Sequence, residues 1–387
     1  MRVLAPSPLS GRGIKGEGQG RGAWHWRGNV ALLGVALAFF LYPLLPNEDV
    51  INSDWPAFAT GARMIVHDPG HLYDFDAQRR VELEVTGGRV LVTLGIHGIL
   101  PFLAPAWVAL IAVPFDLLGP DLGGRLWILF GLLCLVAGLY FATRPRPPTA
   151  ILPAFASVPT ALMMLNAQLD GIVALGIGAA VALWSRPYFA GLALGLTLVK
   201  PQLVLPLGVG LLVFRRWRVL AGWATVGLVL LAATLVISPH WVVDWLGQTR
   251  STIQTGAREV DLPHFAAFLP SSVQTVGLVG LTLVAIGGAL ALAARRRKEL
   301  KAAAAILVIG GVVASPHSLP SDLVVVAVGL AIWGATTWKE WLALSVTALI
   351  AAFAPDPVPA ALGLALVLWL TLRISLWRLG PAPASAR

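Results

Sequence analysis

From Val30 almost to its last residue the chain alternates apolar runs with short polar breaks. The runs are Val30–Leu45, Leu100–Leu118, Leu126–Phe141, Ala150–Leu165, Ile172–Trp184, Tyr188–Val199, Leu203–Phe214, Val219–Ile237, Val273–Ala294, Ala302–Ala314, Leu323–Trp338, Trp341–Ala354 and Ala360–Trp377. None shows the two-residue alternation of a membrane β-strand. Their lengths and uniform apolarity predict an all-α polytopic membrane protein with roughly ten to thirteen transmembrane helices.

The polar breaks set the organisation. Residues 46–97 form the longest. Their acids (Glu48, Asp49, Asp54, Asp68, Asp74, Asp76, Glu82, Glu84) outnumber their arginines (Arg63, Arg79, Arg80, Arg89), so the loop belongs on the extracytoplasmic side. Phe58, Ala62 and Ile65 recur about once per turn and predict a short helix over Pro56–Val66. A second is predicted over Phe75–Val85, with Asp74 as its N-cap. Both are expected as interfacial helices. A second external loop spans 238–270. Residues 1–28 are Gly-rich and basic and read as a disordered cytoplasmic tail; 29–378 form one membrane domain; 379–387 are a second cytoplasmic tail.

From Asn166 onward the charges alternate sides. Arg186, Arg215–Arg218, Arg295–Lys301 and Arg373–Arg387 fall inside; Asn166–Asp170, Lys200–Gln202, 238–270 and Ser315–Asp322 fall outside. The early part does not close. Two plain spans after an external 46–97 loop leave Arg144 and Arg146 outside. Either one early segment is re-entrant or Gly88–Pro101 contributes an extra crossing.

Composition narrows the classes. Hydrophobic residues make up 57% and charged ones 12%, about half the charged share of a soluble domain, which is roughly 25%. The net charge of +9 sits in short clusters between apolar runs, which suits anionic headgroups and not nucleic acid. Cys134, the one cysteine, excludes an intramolecular disulfide. There is no HExxH, paired CxxC, phosphate-binding GxxxxGK[ST] or GxSxG motif, and the histidines are dispersed. No metal and no cofactor are expected.

Ionisable groups in or beside spans are functional candidates. Asp54 follows the first run directly. It is either a solvated loop acid or a base whose partial desolvation keeps its proton affinity useful. Lys200, before Pro201, is either a snorkelling lysine or a cationic clamp for a phosphate. His317 is a loop residue or a second polar group of a site; Asp322 either orients it or caps the next helix. Asn166 and Gln168 read as a helix-end cap or a sugar-binding amide pair. With Arg63, Asp170, Gln202, His240 and His264 they all fall on the external face.

These residues carry a resemblance. Ser53-Asp54-Trp55-Pro56-Ala57-Phe58 with Gly61-Ala62-Arg63, Asp68-Pro69 with Leu72-Tyr73-Asp74, Asn166-Ala167-Gln168-Leu169-Asp170, the Gly191–Leu196 run leading to Lys200-Pro201-Gln202, and Ser315-Pro316-His317 with Asp322-Leu323 are similar to stretches of glycosyltransferase family 87. This GT-C type family includes polyprenol-phosphate-mannose-dependent α-1,2-mannosyltransferases. Leu100–Pro105 departs from it, where the family has a Tyr-Pro-Pro-like segment. The resemblance implies a GT-C-like bundle in the cell membrane and a hexose, mannose above all, moved from a polyprenyl-phosphate sugar to a glycolipid or glycan acceptor outside the cytoplasm. It implies inversion, with Asp54 as base and His317 as a second catalytic group. Lys200 and Arg63 would bind the donor phosphate; Asn166, Gln168, Gln202 and Asp170 would bind sugar or acceptor. The alternatives are a transporter or flippase of lipid-linked sugars, which calls for a repeat with matching broken helices, and a non-catalytic envelope assembly protein.

Overall fold

The computed structural model describes residues 18–46, 48–89, 91–93, 96–98, 100–251, 271–355 and 357–377. His264, most of the second external loop and the expected C-terminal tail lie outside them. The helices are α1 (Gly18–Leu41), α2 (Trp55–His67), α3 (Phe75–Val85), α4 (Ala106–Asp116), α5 (Pro120–Thr143), α6 (Leu152–Phe155), α7 (Val158–Leu165), α8 (Asp170–Ala182), α9 (Pro187–Leu194), α10 (Leu205–Val213), α11 (Trp217–Ile237), α12 (Trp241–Ser251), α13 (Gln274–Arg295), α14 (Leu300–Ala314), α15 (Leu323–Trp333), α16 (Trp338–Phe353) and α17 (Val358–Leu376). The helix expected over Phe75–Val85 is α3, and Asp74 Oδ1 accepts the Ala77 N–H at 2.8 Å as its N-cap. α1 begins at Gly18, inside the stretch read as a disordered tail; extending a helix costs less than nucleating one.

The apolar segments lie where the sequence put them, but few have the length of a span. Pro120–Thr143, Trp217–Ile237, Val276–Arg295 and Val358–Leu376 are long and apolar enough to cross a membrane. A pair bent by 68°, Pro148–Phe155 with Val158–Leu165, makes a fifth if taken as one span. Others, such as α8, α14 and α15, are shorter apolar helices. At about 1.5 Å per residue they fall short of a roughly 30 Å hydrocarbon core. Burial explains the division. Leu323 to Ile332 of α15 is buried throughout, so it meets protein on every side. The apolar windows of α11 and α13 are only 11% buried, leaving their surfaces for lipid.

The two ends of the bundle differ. At one end, Lys301 Nζ donates to the Arg144 carbonyl at 2.6 Å, Arg146 donates to the Ala331 carbonyl and Arg296 to that of Trp377. At the other, Trp107 Nε1 donates to Leu198 O (3.0 Å) and Ser238 Oγ to Pro69 O (2.8 Å).

This arrangement closes the early topology. α4 is no span. The Tyr73 hydroxyl donates to Ala104 O at 2.7 Å just before it, Arg63 pairs with Asp116 at its last residue, and α4 lies along α2. The described residues of 88–101 make no helical crossing either: Leu91–Thr93 and Ile96–Gly98 pair as two short antiparallel strands, with Val92 in register with His97. The described residues between Tyr42 and Gly119 therefore stay at the polar end. α5 then carries the chain once to the basic end, where Arg144 and Arg146 follow. α2 packs into the protein: ten of its residues, Trp55 to Ala62 with Met64 and Ile65, are buried.

α5 and α8 form the most extensive helix pair. Their contact runs through glycines spaced one heptad apart, Gly131 and Gly138 on α5 against Gly171 and Gly178 on α8. A Cβ on Gly171 would collide with the Gly131 carbonyl, and one on Gly178 with that of Gly138. Such a seam lets two backbones touch. It also fixes the start of α8, and with it Asp170.

Candidate functional site

Asp54 occupies the N-cap position of α2, yet its carboxylate does not cap the helix. Gln168 Nε2 donates to Asp54 Oδ2 instead. The backbones are tied as well, with the Asp54 N–H on the Asn166 carbonyl at 3.2 Å. Local structure explains why Gln168 is there. α7 ends in a Schellman turn: the Gln168 N–H reaches Met163 O (2.9 Å) and the Ala167 N–H reaches Met164 O (3.1 Å). Ala167 takes a left-handed φ of 51°, where glycine is usual. Trp127 Nε1 holds that strained residue by donating to its carbonyl at 2.9 Å. Trp127 packs on Trp55 and Phe58 with ring centroids 5.7 and 5.2 Å apart. One aromatic cluster thus sets both sides of the Asp54–Gln168 contact.

A second cluster centres on Lys200, which separates two 3-10 turns, Gly195–Val199 and Pro201–Val204. Pro201 brings no N–H, so the helical ladder breaks there. Lys200 Nζ lies 3.2 Å from Asp170 Oδ1, 3.3 Å from Asp170 Oδ2 and 2.6 Å from Asp322 Oδ1. Asp322 Oδ2 also accepts the Leu319 N–H at 2.7 Å. The side-chain exposures are 12% for Lys200, 0% for Asp170 and 3% for Asp322. Asp170 opens α8 and Asp322 immediately precedes α15, where helix dipoles favour negative charge. This differs from the free phosphate clamp read from the sequence. An unpaired buried ammonium is costly, and the fold supplies two carboxylates for it. Residues 166–170 run through both clusters and join them.

The remaining candidates divide. His317 sits half-buried in the Ser315–Asp322 turn; its N–H lies 3.3 Å from Ser315 Oγ, which donates to the His317 carbonyl. The same turn ends at Asp322, which pairs with Lys200, so the chain ties His317 to that cluster at five residues' remove. Gln202 is half-buried two residues beyond Lys200. Arg63 is not brought to Asp54. Nine positions along α2, about 13 Å of helix, separate them, and its Nε is 3.2 Å from both oxygens of Asp116. His240 is exposed before α12.

Glu82 was missed by sequence reasoning. It is 2% exposed on the inner face of α3. Its Oε1 accepts the Leu100 N–H at 3.0 Å, and its Oε2 is buried without a hydrogen-bond partner among the described residues. Burial pushes this carboxyl up to about 8; the Leu100 bond opposes the shift and the Asp54 charge adds to it. The available signal was spacing: Gln78, Glu82 and Val85 fall at i, i+4 and i+7, one face of a helix. Gln78 on that face bonds Leu72 O (2.7 Å) and Phe102 O (3.1 Å) and accepts the Phe102 N–H (2.9 Å).

Comparison with curated proteins and with solved structures returned no match. The family profile described as Glycosyltransferase family 87 matches residues 102–316. That interval holds Asn166, Gln168, Asp170, Lys200 and Gln202; Asp54 precedes it and His317 follows directly. With more than half of its length matched, on an all-helical bundle with several bilayer-length apolar helices, the chain belongs to glycosyltransferase family 87 and is a membrane glycosyltransferase.

Proposed function

We propose that the protein moves a hexose, with mannose the first candidate, from a polyprenyl-phosphate sugar to a hydroxyl of a glycolipid or glycan on the extracytoplasmic face of the cell membrane. Asp54 is the general base. It takes the proton of the acceptor hydroxyl as the new C1–O bond forms on the face opposite the leaving group. The C1–O bond to phosphate breaks, and polyprenyl phosphate departs with inversion at C1. Gln168 holds the carboxylate. Lys200 positions the 166–170 segment and the His317 turn through Asp170 and Asp322, and His317 faces the phosphate as its charge grows. Protein groups suffice for a monophosphate leaving group, so transfer is expected to survive chelators.

The observation that carries this reading is the unused cap. A half-buried carboxylate at a helix N-terminus that bonds a glutamine, and not its own helix, is oriented for another purpose. The charge pattern supports the side: Arg144, Arg146, Arg296 and Lys301 gather at the end opposite Asp54, as expected of a cytoplasmic face.

The test uses the full chain in membrane vesicles with radiolabelled polyprenyl-phosphate hexoses and an acceptor lipid extract. Wild type is expected to transfer label from one of the donors. Asp54→Asn is expected to lose transfer while still binding donor. Undiminished transfer by Asp54→Asn removes the base assignment; no transfer by wild type from any such donor removes the donor class.

A further inference from the structure

At the basic end, a cavity of about 500 Å³ opens between α10 and α14. It lies at the far ends of three elements whose other ends build the candidate site: α8 starts at Asp170, the Lys200 turn leads into α10, and α14 leads to the His317 turn. It is therefore separate from that site. Its walls are apolar, with Leu207, Leu211 and Leu307 among them, and its rim is cationic: Arg215, Arg216, Arg297 and Lys298. No acid lines it.

The cations of this end fall into two groups. Arg146 and Arg296 are held within the protein, the first on the Ala331 carbonyl, the second on Glu299 at 2.6 Å and the Trp377 carbonyl. The four rim residues are exposed and make no ion pair among the described residues. Two are nonetheless placed by the backbone and by packing. Arg215 turns the chain after α10 with a φ of 55°. The Arg216 guanidinium lies 5.5 Å from the Trp184 ring centroid, also at the cavity wall.

An apolar cleft under four unmatched positive charges has the amphipathic character of a lipid. We propose that this cleft binds a membrane lipid with an anionic phosphate headgroup, its phosphate on Arg215, Arg216, Arg297 and Lys298 and an acyl chain against Val213 and Phe214. A soluble anion would leave the apolar wall uncovered. A neutral or zwitterionic lipid would leave the rim unmatched. The lipid would wedge between α10 and α14, the helices that lead away from Lys200 and toward His317.

The test is native mass spectrometry of the full-length protein in mixed micelles holding phosphatidylglycerol or phosphatidylcholine of identical acyl chains. Wild type is expected to retain phosphatidylglycerol in preference to phosphatidylcholine. Replacing the four rim residues by Gln, one after another, should lower that preference by about five-fold per charge removed. Arg79→Gln with Arg80→Gln, at the other end of the molecule, should leave it unchanged. Inorganic phosphate at millimolar concentration should not displace the lipid. Equal retention of the two lipids by wild type, a preference that survives the four-fold variant, or equal loss in the Arg79/Arg80 variant overturns the proposal. Displacement by inorganic phosphate overturns it in favour of a soluble anion.

Discussion

Glu82→Gln gives the sharpest test of how the first loop is built. The Glu82 carboxyl titrates near 8 in the folded protein, against an ordinary value of 4.5. Below 4.5 it is protonated in folded and unfolded chains alike, and its burial carries no ionic penalty. Between 4.5 and 8 the folded chain keeps a proton that the unfolded chain has released. The folded state binds more protons there, so stability falls as pH rises, by up to about 1.4 kcal/mol per pH unit. Above 8 both states are ionised and the penalty stays at its maximum, about 5 kcal/mol. Glutamine has nearly the shape of the neutral acid and can accept the Leu100 N–H, but it does not titrate. Thermal unfolding of both proteins in one detergent at pH 5, 6, 7, 8 and 9 isolates the effect. From pH 5 to 8 the variant should gain about 4 kcal/mol on wild type, roughly 8 °C at about 2 °C per kcal/mol for a large domain. A melting gap that stays constant from pH 5 to 9 refutes the reasoning, because it would mean that Glu82 is ionised in the fold or reaches water.

Other outcomes follow from the same contacts. Asp54→Asn should reduce transfer by about a hundred-fold or more without lowering the melting temperature, the usual scale for a general base; a smaller loss in the vesicle assay argues for another base. Lys200→Met leaves Asp170 and Asp322 facing each other in a buried site and should cost about 3–5 kcal/mol in denaturant unfolding. Adding Asp170→Asn should recover part of that cost, and strict additivity of the two changes would deny their pairing. Gly171→Ala and Gly178→Ala, each driving a methyl into a carbonyl of α5, should destabilise the protein and impair transfer together. Gly280→Ala on α13 meets nothing within 4 Å and serves as the control; equal melting points for all three would mean that the α5–α8 seam is not tight.

Much of the fold was readable because a bilayer allows few solutions. An apolar run that satisfies its own backbone has to be helical, and each expected run carries a helix, while α12 (Trp241–Ser251) lies in the stretch expected as an external loop. α3 and its Asp74 cap were legible because capping is local chemistry within a few residues. Lengths and crossings were less legible. Leu100–Leu118 looked like a span, but Tyr73–Ala104 and Arg63–Asp116 hold both of its ends beside the first loop. Those are contacts between distant residues, and no local pattern encodes them. The candidate site divided in the same way. Asp54, Gln168 and Lys200 were visible as polar residues in oil. So were Asp170 and Asp322; which of these residues pair with which was not.

The sequence by itself determined the class: a helical membrane protein with polar residues gathered at one end, whose middle carries the family likeness. Residue type and period settle such matters, since the cost of an unbonded peptide group in lipid is the same wherever the segment packs. Only the tertiary structure decided that Lys200 is shared by Asp170 and Asp322, that Arg63 belongs to Asp116, and that Glu82 is buried. The charge a group presents depends on which opposite charges and how much water the fold leaves beside it, and those are set by residues that meet only when the chain is folded.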